Sequence, residues 1–372
     1  MLDNNYNEIK EKEEKLINFM NIKGLDGVII SKANNWSWVT GGRDARIVYS
    51  KEANLVDLVI TNDLQKYCIS TNVEAPRLEK EDLNNLDYKI ISFPWYDYSE
   101  KLKIVKSLIE GKKFASDTAI EGAISLDSDF DKLRYSLTKN ELKKYRLLGE
   151  WCRDAVESTT KEIEPGMTEQ AISGIVEGKL GKKGIFCDVV MVAADERIFD
   201  FRHPLTADKK INKYVMILIC ASKWGLVLAM TRLVHFGKLP EELEIKIRKV
   251  TEIDAKLIAN TRPDKVMKDF DKIIPQAYKD AGYPDMWKMH YQGGPIGYGD
   301  REYEWEPNSE MGFYNNQAIA WNPTITGTKS EDTFLYVDGN IEIISLKNNG
   351  NWPIIEHNIE GKTIPRPSIL IR

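Results

Sequence analysis

The chain's 372 residues contain four histidines, His203, His235, His290 and His357, and two of them stand in segments crowded with other reactive types. An imidazole titrates near neutral pH, so it can take a proton from water and hand it to a leaving group. His203 lies in Asp200-Phe-Arg-His-Pro204, after the apolar run Val189 to Ala193. The plainer alternative is a loop histidine hydrogen-bonded to neighbouring backbone. His290 opens the segment His290-Tyr-Gln-Gly-Gly-Pro-Ile-Gly-Tyr-Gly-Asp-Arg-Glu302. Its Gly293, Gly294 and Gly297 let backbone approach a ligand closely or turn tightly; the alternative is strand packing, with His290 bracing the turn. Glu331, in Lys329-Ser-Glu-Asp-Thr333, is the candidate carboxylate. It could orient His203, act as a second acid or base, or bind a cationic group, or simply pair with Lys329 or Arg232. Arg301 and Arg232 are candidate anion binders, because a guanidinium fork suits a carboxylate or phosphate. The competing readings are a salt bridge for Arg301 and a strand brace for Arg232. Asn322, in Trp321-Asn-Pro323, could hold a substrate carbonyl or carboxylate, and Tyr298 and Trp321 could wall the pocket against large peptides. His235 and His357 read as surface or structural.

The elements that must position these groups fall into two stretches. In the first, Glu8 to Met20 has the apolar spacing of a helix, with Ile9, Leu16, Ile17 and Met20 on one side and Gly24 closing it. Strands are expected at Gly27 to Ile30, Leu55 to Thr61 and Tyr67 to Thr71, and a helix over Ile104 to Glu110. Such alternation points to a small α/β domain over residues 1–135. Thr138-Lys-Asn-Glu141 then reads as a capping box opening a long helix toward Ile163, the start of a second domain over 136–372.

That second stretch carries a weak internal repeat. Trp151 to Ile163 and Met167 to Leu180 are helical around Pro165-Gly166 and end at Gly184; Lys249 to Asn260 and Val266 to Lys279 are helical around Pro263-Asp264 and end at Gly282. The proline-to-glycine spacing is the same in both. Either two helical hairpins coincide, or the domain has two related halves with a site between them. Strands are expected at Tyr214 to Cys220, Gly225 to Val234, Gln317 to Trp321, Thr333 to Val337 and Ile341 to Ser345, with Asp338-Gly339 as a tight hairpin turn.

Net charge is −5 and the pI about 5.7, with no Lys/Arg-rich arm, so a nucleic-acid surface is not expected. The apolar runs are too short to span a bilayer. The start of the chain is too polar and charged for a secretory signal. Cys68, Cys152, Cys187 and Cys220 form no CxxC pair, so neither a zinc ribbon nor a disulfide framework is expected, and a reducing cytoplasm is. In the first domain, Thr40-Gly-Gly-Arg-Asp-Ala-Arg46 lacks the context of a dinucleotide loop.

In order and spacing, the motifs resemble the creatinase/aminopeptidase P/prolidase group, peptidase family M24. Thr231-Arg232 is similar to the end of its Asp-x-Thr-Arg strand, His290 to Glu302 to its His-x-x-Gly-His-Gly-Ile-Gly segment, Asn322-Pro323 to its Glu-Pro, and Glu331-Asp332-Thr333 to its Glu-Asp-Thr. The resemblance covers nearly the whole chain. It implies an α/β fold: a creatinase-like N-terminal domain followed by a pita-bread domain with pseudo-twofold α+β halves. It also implies a place for His203 in the substrate cavity and a homodimer in which Arg43 or Arg46 reaches the partner's site. Family metallopeptidases hold two metal ions through two Asp, one His and two Glu. Those positions fall on Leu218, Ala229, Gly294, Asn322 and Glu331. Leu, Ala and Gly offer no donor and Asn is a poor one, so no metal and no other cofactor is expected. Creatinase is the family's metal-free precedent. Three readings remain: a metal-independent hydrolase or lyase of a small C–N-containing molecule; a non-catalytic small-molecule or peptide binder on the same scaffold; and an Xaa-Pro peptidase with a rearranged metal site using Glu331, His290, Asp300 or Glu302.

Overall fold

A computed structural model describes residues 5–347 and 350–372. Contacts divide the chain into two compact units, Met1–Asn140 and Glu141–Arg372.

The first unit contains α1 (Asn5–Lys23), β1 (Gly27–Lys32), α2 (Ala33–Val39), β2 (Ala53–Thr61), β3 (Lys66–Thr71), the single turn α3 (Ala75–Arg77), β4 (Lys89–Phe93), α4 (Tyr98–Ile109), β5 (Phe114–Ser116), β6 (Ile124–Ser125) and the short α5 (Ser128–Asp131). Ile9, Leu16, Phe19 and Met20 form the buried stripe of α1, while the expected Ile17 is only half-buried. Gly24, at φ +60°, ends this helix in the left-handed conformation that favours glycine. The strands form one mixed sheet in the order β4-β3-β2-β1-β5-β6. Ile29, Val59, Ile69, Phe93 and Phe114 pack into a core with Val105 and Ile109 of α4.

The second unit continues with α6 (Lys139–Glu162), α7 (Glu169–Gly181), β7 (Phe186–Ala194), the single turn α8 (Arg197–Asp200), β8 (Tyr214–Lys223), β9 (Leu226–His235), α9 (Glu241–Asn260) and α10 (Phe270–Asp280). Then come β10 (Gly293–Ile296), β11 (Gln317–Trp321), β12 (Thr324–Ile325), β13 (Thr328–Lys329), β14 (Phe334–Val337), β15 (Asn340–Ile343), β16 (Ile354–Ile359), β17 (Lys362–Pro367) and β18 (Leu370–Ile371). One sheet has the order β18-β9-β8-β7 and a second β10-β11-β14-β15. Each helix pair, α6-α7 and α9-α10, precedes the strands of one sheet, as two related halves require. The repeat was read with a helix from Val266; there the chain first makes a 3-10 turn at Met267–Asp269 before α10. The hairpin β16-β17 and the parallel strand β18 were not read from the sequence.

Asp338 (φ 49°) and Gly339 (φ 81°) form the β14-β15 turn. Two successive positive φ values match the right-handed twist of the strands, and Asp-Gly tolerates them. All ten residues of β9 are buried. A central cluster draws Met216, Leu233, Ile253, Leu257, Phe270, Ile319 and Trp321 from both halves. Burying side chains of this size contributes roughly 1.5–3 kcal/mol each before chain entropy is subtracted.

Candidate active site

β9 and the segment after β13 are stitched together residue by residue. Thr231 N–H donates to the Glu331 carbonyl (3.0 Å), Met230 bridges Asp332, and the Thr333 hydroxyl accepts from Ala229 N–H (3.0 Å) and donates to the Ala229 carbonyl (2.9 Å). This fixes the Glu331 carboxylate against the β8-β9 surface, where Leu218 pairs with Thr231 and Cys220 with Ala229. Glu331 is buried. Its carboxylate accepts from the Thr231 hydroxyl (2.7 Å), with the Lys329 ammonium at 3.5 Å and the Arg301 guanidinium at 3.7 Å. Arg301 also donates to the Asp300 carbonyl and stands 4.0 Å from Glu304.

Across the basin the two histidines meet. Their Nε2 atoms lie 3.1 Å apart and their ring centroids 4.8 Å. His290 Nδ1 also contacts the Tyr291 carbonyl. A carbonyl only accepts, so that nitrogen carries the proton and His290 Nε2 is an acceptor. His203 Nε2 must then be the donor, which assigns the base-competent lone pair to His203 Nδ1. Burial, then the Lys329 charge, lower His203 below the usual imidazole range, while Glu331 pulls it back up. Desolvation pushes His290 further down, to about 2, with Lys329, His203 and Arg202 acting in the same sense. Both rings are therefore neutral at neutral pH. Phe201 and Leu205, near His203, and Met289 and Tyr291, beside His290, are exposed apolar residues.

Glycine is needed where the backbone turns into this site. At Gly293 (φ +88°) an added Cβ would meet the Ala320 carbonyl at 2.3 Å. Gln292 donates to the carbonyls of Trp287 and His290 and accepts from the Tyr278 hydroxyl, which fixes the turn that carries His290. Asn322 is buried; its N–H donates to the Gln292 carbonyl, and its Oδ1 has no hydrogen-bond partner. An orphaned buried acceptor costs about 1–3 kcal/mol unless a ligand satisfies it.

Three expected site residues lie elsewhere. Arg232 is fully buried, with its donors on Asp332 (3.0 Å), the Thr231 carbonyl and the Ser345 carbonyl (2.7 Å). It braces strands and does not face the basin. Tyr298 is buried and its hydroxyl bonds Glu141. Trp321 likewise stacks on Phe270 and donates to Thr261, so it belongs to the core. His235 is buried against the Gly237 carbonyl and His357 bonds the Thr251 hydroxyl. In the first unit, Arg43 donates to the Thr40 carbonyl and Arg46 forks onto Asp44. The residue that sequence reading missed is Lys329, weighed there only as a partner for Glu331. Its position two residues from Glu331 was a signal, since alternate residues of an extended chain share a face.

The profile of metallopeptidase family M24 matches residues 143–338. The chain belongs to this family. It is 25% identical over 304 residues to an uncharacterized peptidase of Staphylococcus epidermidis, an overlap covering 73% of this chain and 83% of that one. The prolidase from Pyrococcus horikoshii superposes with a TM-score of 0.75 at 19% identity, over 91% of this chain and 99% of its own. Dipeptidase PepE from Mycobacterium ulcerans does so with a TM-score of 0.77 at 15% identity, over 99% and 100%. The M24 match and the peptidase-named relatives support a hydrolase, and the superpositions support the pita-bread fold over nearly the whole chain.

The M24 metal pair is a poor match for the residues at its positions. Leu218 and Ala229 are buried and carry no donor. At Gly294 a Cβ would come within 2.7 Å of the Tyr303 carbonyl, so the backbone has closed over the place of the family's histidine. Glu331 already serves Thr231, Lys329 and Arg301. No group of three or more His, Cys, Asp and Glu among the described residues could hold a metal ion. A divalent ion needs several anionic or imidazole donors at once, and this set does not supply them.

Proposed function

We propose that this M24 protein is a metal-independent hydrolase of a small amide-like C–N substrate. The observation that carries the reading is the mutually hydrogen-bonded pair of imidazoles, His203 and His290, with the buried Glu331 carboxylate acting on His203 through its charge. His203 Nδ1 takes a proton from water as the water oxygen adds to the substrate carbon. One N–H arm of the Arg301 guanidinium steadies the oxygen that gains negative charge, leaving its other arm for a second anionic group, and Asn322 Oδ1 accepts from the substrate's N–H. The C–N bond then breaks, and the proton held by His203 passes to the leaving nitrogen. Glu331 stabilises the transient imidazolium. His290 holds the His203 ring in the tautomer that leaves Nδ1 free. General acid–base catalysis of this kind contributes about 10²–10⁴-fold. Homodimerisation and a cytoplasmic location belong to the same reading, on the family resemblance and on four free cysteines, respectively. No helix among the described residues is long and apolar enough to cross a membrane.

The test is hydrolysis of a panel of N-acyl amino acids and dipeptides by the purified full chain, before and after exhaustive chelation. Activity should survive EDTA and fall by about 10²-fold or more in His203→Ala. Loss on chelation with recovery in Mn²⁺ would overturn the reading. That outcome would favour Xaa-Pro dipeptide cleavage with a relocated metal, a second reading supported by superposition on prolidases across almost the entire chain. A ligand bound unaltered, with no turnover across the panel, would favour a binding protein.

A further inference from the structure

The basin has more positive charge than its structure uses. Lys329 is 5% exposed. Its ammonium makes one ion contact, to Glu331 at 3.5 Å, and no hydrogen bond among the described residues. Glu331 is already shared with the Thr231 hydroxyl and with Arg301. Arg202, half-buried nearby, donates to the Thr326 hydroxyl and forms no ion pair among the described residues. Two cationic side chains, Lys329 and Arg301, therefore flank one buried carboxylate, and the charges of Lys329 and Arg202 both act on the His290 imidazole. An ammonium out of water is costly unless its three donors and its charge are met.

We propose that Lys329, with Arg301 beside it, is the binding group for the carboxylate of an anionic substrate, so that the molecule cleaved is a small amide bearing a free carboxylate. The two cations stand beside Glu331, the one acidic residue kept at the M24 ligand positions. An ammonium and a guanidinium together suit a carboxylate's two oxygens. The bound anion would also act on the histidines. Lys329 lowers both His203 and His290; a carboxylate seated on the ammonium offsets that push and makes His203 a stronger base only when substrate is present.

This inference rests on the proposed reading of the same site, but its test reads binding and not turnover. The full chain is titrated with N-acetylglycine, with neutral N-acetylglycinamide and with inorganic phosphate, following the ring proton signals of His203 and His290 by NMR. N-acetylglycine should bind saturably and raise the apparent pKa of His203, and the neutral amide should do neither. Lys329→Met should weaken N-acetylglycine by about tenfold or more. Lys329→Arg should retain most of the affinity, and Arg301→Gln, which leaves the lysine in place, should weaken it in turn and serves if the methionine variant does not fold. Equal binding of acid and amide, or affinity unchanged in both Lys329→Met and Arg301→Gln, would overturn the proposal. Phosphate binding in preference to N-acetylglycine would overturn the carboxylate assignment. Binding without turnover would sink the hydrolase reading and leave the assignment of Lys329 and Arg301 as the carboxylate-binding groups standing; chelator-resistant turnover of neutral amides would do the reverse.

Discussion

Glu331 and Asp332 are neighbours in sequence and serve opposite ends. Asp332 belongs to a densely bonded network, in which Arg232 Nε, Arg366 Nη1 and Asp254 Oδ1 nonetheless have no hydrogen-bond partner among the described residues. It accepts from Arg232 (3.0 Å), Arg366 (2.9 Å) and the Ser345 hydroxyl (2.6 Å), while Arg366 also meets Asp254 at 2.7 Å. Two arginines balance two aspartates, and Glu157 stands 3.9 Å from Arg232. Burial still raises Asp254 to about 7. Around Glu331 the contacts are longer, 3.5 and 3.7 Å, and cations outnumber the carboxylate. A balanced, short-range cluster holds strands together. An unbalanced, long-range one costs stability and is ready for a ligand. The alternation of an extended chain puts these two environments on opposite sides of one backbone.

Deleting one cation from each side tests that contrast. Arg366→Met leaves Asp254 and Asp332 buried without their shared partner, and should cost about 3–5 kcal/mol in urea unfolding. A loss below about 1 kcal/mol, the scale of an exposed ion pair, would mean the network is not a brace.

The histidine pair gives a smaller effect with a definite sign. Both folded pKa values lie below the ordinary value of about 6.5, so below that pH the unfolded chain holds protons that the folded one does not. Stability therefore rises with pH through this window and is lost as the pH falls, by at most about 1.4 kcal/mol per pH unit for His290 and by less for His203, whose exposure to solvent screens the effect. Unfolding at pH 5 and pH 7 should differ less in His290→Gln than in the parent. An unchanged difference would show that the rings are not desolvated together.

The smallest change should come from Lys329→Met. It removes a surplus charge and leaves Arg301 facing Glu331, so stability should hold or rise by up to about 1 kcal/mol. A loss matching that of Arg366→Met would put Lys329 in the scaffold and erase the difference between the two clusters.

Much of the positioning machinery was legible. The Asp338-Gly339 turn and the paired strands around Thr231 follow from turn chemistry and period-two alternation, and motif order named the residues of two contacts, His203 with His290 and Arg301 with Glu331. The strand read at Ile341 to Ser345 ends at Ile343, because the Ser345 carbonyl turns to Arg232 and its hydroxyl to Asp332. Arg232 and Tyr298 read as site residues for the opposite reason. A motif states that a side chain is near a site, and not which way it points; Arg232 found Asp332 and Tyr298 found Glu141, both in the core.

The sequence alone determined which side-chain donors exist: Leu218, Ala229 and Gly294 offer a metal no side-chain ligand in any conformation, because covalent structure fixes what lone pairs a side chain has. Only the tertiary structure decided where the remaining charges go. That the two imidazoles share a hydrogen bond and that Arg301 reaches Glu331 depend on chain segments far apart in sequence, brought together by burial of a core whose packing no local pattern encodes.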